Sequence, residues 1–325
     1  MMRGAGIRKL PPALMLAVLA PAFGELLSGS APPLEFFSPL ILPFMVAFYG
    51  GGAILIRELA LRWGGTSRSV RWAIVLLLGA AYGIVEEGLA AKSFFDPGWM
   101  DLGVLGRYGR WAGVNWLWSI DLTLFHTIVS IAAPIVITEL VFRNRRDERW
   151  VGRRGTTAIA TMFVALVALM FLALTPYRPP LITFAGAVGI VAGLVALARR
   201  AGRVPRSVSA AGIPKPGVVL AASFGASLLV WLASMFLLPV LEVSSLVPIG
   251  LTLAVAAAAE RWLMHAVASV DWTDAHNLAF VSGALLFWAL IAVFDELSGL
   301  AGMSLVAAAT VLGLTRLRRR VRASA

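Results

Sequence analysis

The chain has 325 residues, of which 59% are hydrophobic and only 14% charged, and its mean hydropathy is +0.85. That mixture cannot furnish both a core and a wettable surface, so lipid must be part of the solvent. The net charge of +11 comes with basic residues confined to short segments between apolar runs, a pattern of membrane orientation and not of nucleic-acid binding. With no cysteine, thiolate chemistry is excluded, and with three histidines no metal centre and no cofactor are expected.

A spanning helix needs about 20 apolar residues to cross roughly 30 Å of hydrocarbon. Windows of that kind fall at 10–28, 37–59, 71–92, 112–142, 157–175, 181–199, 216–238, 244–264, 277–296 and 300–316. The sequence therefore predicts an all-α, polytopic transmembrane helix bundle of about ten spanning helices. Placing the N-terminus inside leaves only Lys92, Arg107, Arg110 and Arg178 of the 28 basic residues outside. Trp63, Trp72, Trp150 and Trp262 then mark the inner interface, and Trp99, Trp111, Trp116 and Tyr177 the outer one. Both termini are accordingly placed in the cytoplasm of a multi-pass cell-membrane protein. The arginine and alanine bias points to a prokaryotic plasma membrane.

Two connections exceed a tight turn. Arg199 to Gly217, with Pro205, Pro214 and Pro216, reads as a linker between residues 1–200, which hold helices one to six and the candidate site, and residues 201–325, which hold helices seven to ten of one integral unit. Ser93 to Trp111 combines an Asp96-Pro97-Gly98 turn, followed by Asp101, with alternating apolar residues, a pattern that suits an interfacial segment over the bundle or a surface loop.

Ionisable groups within a bilayer are costly and must be paired, buried in protein or functional. Glu86 and Glu87 sit late in the third window, where two adjacent carboxyls cannot both ionise cheaply. Gly79, Tyr82, Gly83, Glu86 and Ala90 recur at helical spacing and leave a face small enough for another helix to approach. In the fourth window Asn115, Ser119, Thr123, His126 and Ser130 share one face. At about 1.5 Å per residue, Glu86 and His126 come within roughly 6 Å of the same depth. Asp121 lies about 140° around the helix from His126 and points to a different neighbour. Glu25 is aimed inward if Pro21 bends the first helix. The charges at the inner helix ends read as local pairs, Glu58 with Arg62 and Glu139 with Arg143, while His276 and Asn277 read as a helix start.

Glu86-Glu87-Gly-Leu-Ala-Ala-Lys92, followed by Leu122-Thr-Leu-Phe-His126, resembles the CAAX-protease and bacteriocin-processing (CPBP) family of intramembrane glutamic proteases. That family carries Glu-Glu-x-x-x-Arg on one helix and Phe-x-x-x-His on the next. Here Lys92 stands one position late, Leu122 replaces the aromatic residue, and His276 is followed four residues on by Phe280 where the family has Asn. The resemblance implies that Glu86 or Glu87 activates a water for attack on a peptide bond and that His126 positions it or stabilises the oxyanion. Lys92, Thr123, Ser130, Asp121 and Glu25 are the supporting candidates. Two other readings stay open: a proton-coupled or solute transporter using the same acids and histidine, and a non-catalytic scaffold. The partners expected are the lipid bilayer and a membrane-associated peptide or small-molecule substrate.

The orientation has a direct test. A cysteine introduced at Gly152, in the most basic loop, should resist an impermeant maleimide in intact cells and react after permeabilisation; labelling before permeabilisation would invert the topology.

Overall fold

The computed structural model describes residues 11–100, 102–203 and 212–323; Asp101, Pro205 and both chain ends lie outside them. The chain order is α1 (Pro12–Leu26), α2 (Ile41–Gly64), α3 (Arg68–Ala91), α4 (Trp116–Val141), α5 (Arg153–Leu174), α6 (Leu181–Ala201), α7 (Pro216–Val240), α8 (Leu246–Ala266), α9 (Asp274–Leu297) and α10 (Met303–Ala323). Eight of these, α2 to α9, are long and apolar enough to cross a membrane. The end helices are the exceptions: α1 is short, and α10 runs into Arg316, Arg318, Arg319, Arg320 and Arg322. Each of the ten apolar windows thus becomes a helix, with full spanning length in the middle eight.

Local chemistry sets where several helices begin. The Asn115 side chain accepts the Trp118 N–H at 3.1 Å and caps α4. Thr273 and His276 form a reciprocal capping box at the start of α9, so His276 is indeed a helix-start residue, far in role from the acidic pair. Pro12 and Pro216 occupy first-turn positions, where the missing N–H costs nothing.

Burial divides the bundle into two shells. Between 61% and 72% of each apolar stretch is buried in α2, α3, α4 and α9, against 22% or less in α5 to α8. The inner helices must therefore satisfy their polar groups within protein, while the outer ones present Leu, Val and Ile to lipid. The Ser93–Trp111 segment settles as a cap at one end of the bundle. It folds into a 3₁₀ turn (Gly103–Gly106) and a two-residue hairpin pairing Arg110 with Asn115 and Trp111 with Val114. Phe94, Phe95, Leu102 and Leu105 bury against Leu117, Trp118 and Leu122.

At the opposite end a buried ion-pair cluster replaces the local pairs anticipated from sequence. Arg57 donates to Glu58 (2.9 Å), to Glu139 (3.2 Å) and to the Glu148 carbonyl (2.6 Å), with its guanidinium 3.7 Å from the Trp150 ring centroid. Glu58 therefore pairs with Arg57 and the Trp150 N–H instead of Arg62, and Glu139 pairs with Arg57 and Arg71 instead of Arg143. Apart from the adjacent Glu58 and Arg57, these partners come from distant parts of the chain, because a fully buried charge needs several donors or acceptors, which one helix turn cannot supply. Arg57→Met should lower stability by about 3–5 kcal/mol by leaving Glu58 buried without its partner. Thermal unfolding in detergent checks this, and an unchanged midpoint would count against the cluster as a fold-holding element.

Candidate functional site

Small residues bring α3 and α4 together. A Cβ on Gly83 would lie 3.1 Å from the His126 Cβ and from the Thr123 Cα, and one on Gly79 3.1 Å from the Thr127 Cα. Glycine lets the two backbones approach within van der Waals contact, as small-residue faces do in membrane bundles. This contact delivers Glu86 and Glu87 to His126.

Around the contact four helices widen into single π-helical turns: Ala22–Leu26 in α1, Val46–Gly50 in α2, Ile84–Ala91 in α3 and His126–Ala132 in α4. They carry Glu25, then Tyr49, then Glu86 and Glu87, then His126 and Ser130. Two more π turns lie in α5 and α7; the one in α5 packs beside that of α3, and neither supplies a side chain to this group. A π turn adds a residue to a helical turn and redirects side chains, and such turns gather at functional sites.

The resulting side-chain network is continuous. His126 Nε2 is 3.2 Å from Glu87 Oε1 in hydrogen-bonding geometry, and Glu86 Oε2 lies nearer, at 2.8 Å, off the N–H axis. His126 Nδ1 meets Ser130 Oγ at 3.0 Å. Tyr49 donates its hydroxyl to Glu25 and sits 3.1 Å from Glu86 Oε1, so it links the acids of α1 and α3. Ser93 donates to Glu87 and accepts the Trp118 indole N–H at 3.0 Å. The centre is mostly buried: Glu86 is 6% exposed and His126 2%, while the Glu87 side chain keeps 13%. In that low-dielectric setting each of these interactions is stronger than it would be in water. Two polar atoms keep unused capacity, since Glu86 Oε2 and the Tyr82 hydroxyl make no hydrogen bond among the described residues.

Of the residues expected from sequence, Glu86, Glu87, His126, Ser130 and Glu25 converge here. Thr123 does not: its hydroxyl donates to the Ser119 carbonyl at 2.6 Å, and its backbone serves the Gly83 contact. Lys92 also stands apart. It ends α3 in the left-handed conformation (φ 68°), and its ammonium donates to the Phe171 and Thr175 carbonyls at the end of α5. Burial pushes its pKa down to about 8. Asp121 faces away, as the 140° offset requires, and lines a cavity on the other side of α4. Tyr49, Ser93 and Trp118 were not anticipated. A tyrosine within an apolar run gives the same signal as a packing residue, and Ser93 lies just past the helix end.

Glu86, Glu87 and His126 could together hold a metal ion, as each offers one ligand atom and these lie within 4.8 Å of one another. Two carboxylates and one imidazole are an acceptable ligand set for a divalent metal. The same residues are also held together by the Glu87–His126 hydrogen bond alone, which leaves Glu86 Oε2 open.

Fold and site together define a polytopic helical membrane protein with a buried carboxylate–imidazole centre. The chain belongs to an uncharacterized membrane protein family, whose model matches residues 14–323. No curated protein and no solved structure matches it. Membership of that family bears out a membrane protein; it adds nothing to the glutamic-protease resemblance, which rests on residues 86–126.

Gly83→Val should force α3 from α4 and cost about 1–3 kcal/mol through overpacking. A lower thermal midpoint than wild type in the same detergent is the expected outcome, whereas an unaltered midpoint would mean that the helices are not in contact at Gly83.

Proposed function

We propose that the chain is an intramembrane hydrolase of the glutamic type, acting on a peptide bond presented from the bilayer. The observation that supports this best is the convergence of four π turns on one largely buried Glu86–His126–Glu87 centre in which Glu86 Oε2 and the Tyr82 hydroxyl keep spare hydrogen-bonding capacity. In this reading Glu86 takes a proton from water as the water oxygen bonds to the substrate carbonyl carbon. The Tyr82 hydroxyl, which has no partner among the described residues, supplies a donor for the oxyanion that forms, while His126, whose two nitrogens are taken by Glu87 and Ser130, fixes the position of the carboxyls. Collapse of the tetrahedral intermediate breaks the C–N bond, and the proton on Glu86 passes to the leaving amine.

Proton-coupled transport is supported less well. Ser93, Glu87, His126, Glu86, Tyr49 and Glu25 form one chain, but all lie toward one end of the bundle: Tyr49 about eight residues into α2, Glu86 about five before the end of α3. The chain therefore runs across the bundle at one level. Below it, α3 has no charged residue between Arg71 and Glu86, where a transmembrane proton path would need one or more relays.

The test compares wild type with Glu86→Gln, Glu87→Gln and His126→Ala at equal abundance in membranes incubated in H₂¹⁸O. Mass spectrometry should find ¹⁸O-labelled new peptide C-termini with wild type, reduced at least about 100-fold in each variant, in line with loss of a general base or of the groups that position it. Equal labelling in all four membranes would remove the hydrolase reading.

A further inference from the structure

A second feature lies on the opposite face of α4. A cavity of about 910 Å³ runs between α3, α4 and α9 on one side and α7 and α8 on the other. Neither Glu86, Glu87 nor His126 lines it; Phe125, whose ring lies 5.1 Å from that of His126, stands in the wall between the two regions. Its volume falls within the roughly 300–1,000 Å³ of ligand pockets. Along α7 the lining extends from Val218 to Trp231, which at about 1.5 Å per residue is roughly 20 Å of helix.

The lining is apolar apart from the exposed Glu260, and most of its buried polar side chains are already satisfied. Thr127 donates to the Thr123 carbonyl, Ser223 to the Phe280 carbonyl and Ser227 to the Ser223 carbonyl. Two buried atoms are different. Asp121 is 2% exposed, and neither of its carboxyl oxygens has a hydrogen-bond partner; Thr252 is beside it without the required geometry. The indole N–H of Trp231 is likewise buried without an acceptor. Both residues line the cavity at the end where Trp231 packs beside the Leu117–Leu122 cluster, so an unused acceptor and an unused donor share one end of a long apolar chamber. A buried polar atom left unpaired costs about 1–3 kcal/mol, which a ligand supplying the missing partner recovers on binding.

We infer that this cavity binds a single-chain amphiphile with a neutral head that both donates and accepts a hydrogen bond, a long-chain primary amide or alcohol. Its head donates to Asp121 and accepts from the Trp231 N–H, and its hydrocarbon chain lies between α7 and α9. An alkylammonium would satisfy Asp121 but offers the indole no lone pair, and a fatty carboxylate brings a second acidic group beside Asp121. The site is independent of the hydrolase reading.

A diazirine-bearing hexadecanamide in proteoliposomes of the full chain tests the assignment. Labelling should be saturable, map to α7, α8 or α9, and be competed by hexadecanamide or hexadecanol at least tenfold better than by hexadecane, hexadecylammonium or hexadecanoate. Asp121→Leu should bring amide and alkane competition within about twofold of each other while leaving thermal stability equal or higher, because it removes an unpaired buried polar group. Labelling spread over all lipid-facing helices, a preference for the ammonium or carboxylate head, or unchanged amide selectivity in Asp121→Leu would each overturn the proposal. Better competition by the amide than by the alcohol, or the reverse, identifies which of the two heads the cavity takes.

Discussion

The approach of α3 to α4 over Gly79 and Gly83 governs the interior of this protein. In hydrocarbon there is no water to satisfy a stray carboxylate, so Glu86 and Glu87 can reside in α3 only if a neighbouring helix supplies donors at the right height. His126 does so because two glycines remove the side chains that would otherwise hold the helices apart. The remaining partners follow from that placement. Ser130 takes the second imidazole nitrogen, Ser93 takes the far side of Glu87, and Tyr49 reaches from α2 to join Glu86 with Glu25 of α1. The π turns fit the same requirement, since they redirect side chains on four helices toward one level without breaking the backbone ladder into free polar groups.

Sequence carried much of this architecture because the signals concerned are local. An apolar run of spanning length reports a helix whatever it packs against, so the ten windows and the ten helices agree, with α1 too short and α10 too charged to count as full spans. The depth match of Glu86 with His126 needs only the helical rise, and the separation of Asp121 from His126 needs only the helical turn. Glu25 was reachable through the bend expected at Pro21, a residue that the structure places at the junction with the first π turn. What escaped was long-range or unmarked in composition. Arg57 meets Glu139 and the Glu148 carbonyl across more than 80 positions, and no pattern in α2 announces those partners. Lys92 was drawn toward the acids by motif spacing, yet a left-handed residue at the end of α3 turns its ammonium to the end of α5. A π turn leaves hydropathy unchanged, so the feature that aims the site side chains left no trace in the pattern of apolar residues.

The division into shells explains how one chain holds both a polar centre and a greasy exterior. Helices α2, α3, α4 and α9 are covered on most sides, and the acid–imidazole centre sits on α3 and α4 among them, joined by Glu25 of α1. Outer helices α5 to α8 carry apolar faces, and they reach the interior through backbone groups, as with the α5 carbonyls that receive Lys92, and through a few polar side chains, such as Ser223, which donates to the Phe280 carbonyl. The Arg57 cluster at one end and the Ser93–Trp111 cap at the other close the inner shell, so that its polar interior is bounded by ion pairs below and by buried aromatic packing above.

Helix α4 also offers an internal comparison. On one face Glu86 and Glu87 meet an imidazole, a tyrosine and two serines drawn from α2, the α3 end and α4 itself; on another, Asp121 of the same helix meets only the edge of an apolar cavity. Both arrangements bury carboxyl groups, and they differ in how completely the protein supplies their partners. The acid–imidazole network is nearly closed, with spare capacity at Glu86 Oε2 and Tyr82, which suits a centre that admits one small reactant to a rigid frame. Asp121 and Trp231 are both left open within a chamber of ligand size, an arrangement whose missing partners can come only from a larger molecule with an apolar body. Because α4 is the shared wall, the geometry of either face is tied to the other through Phe125, which touches the His126 ring on one side and Trp288 on the cavity side.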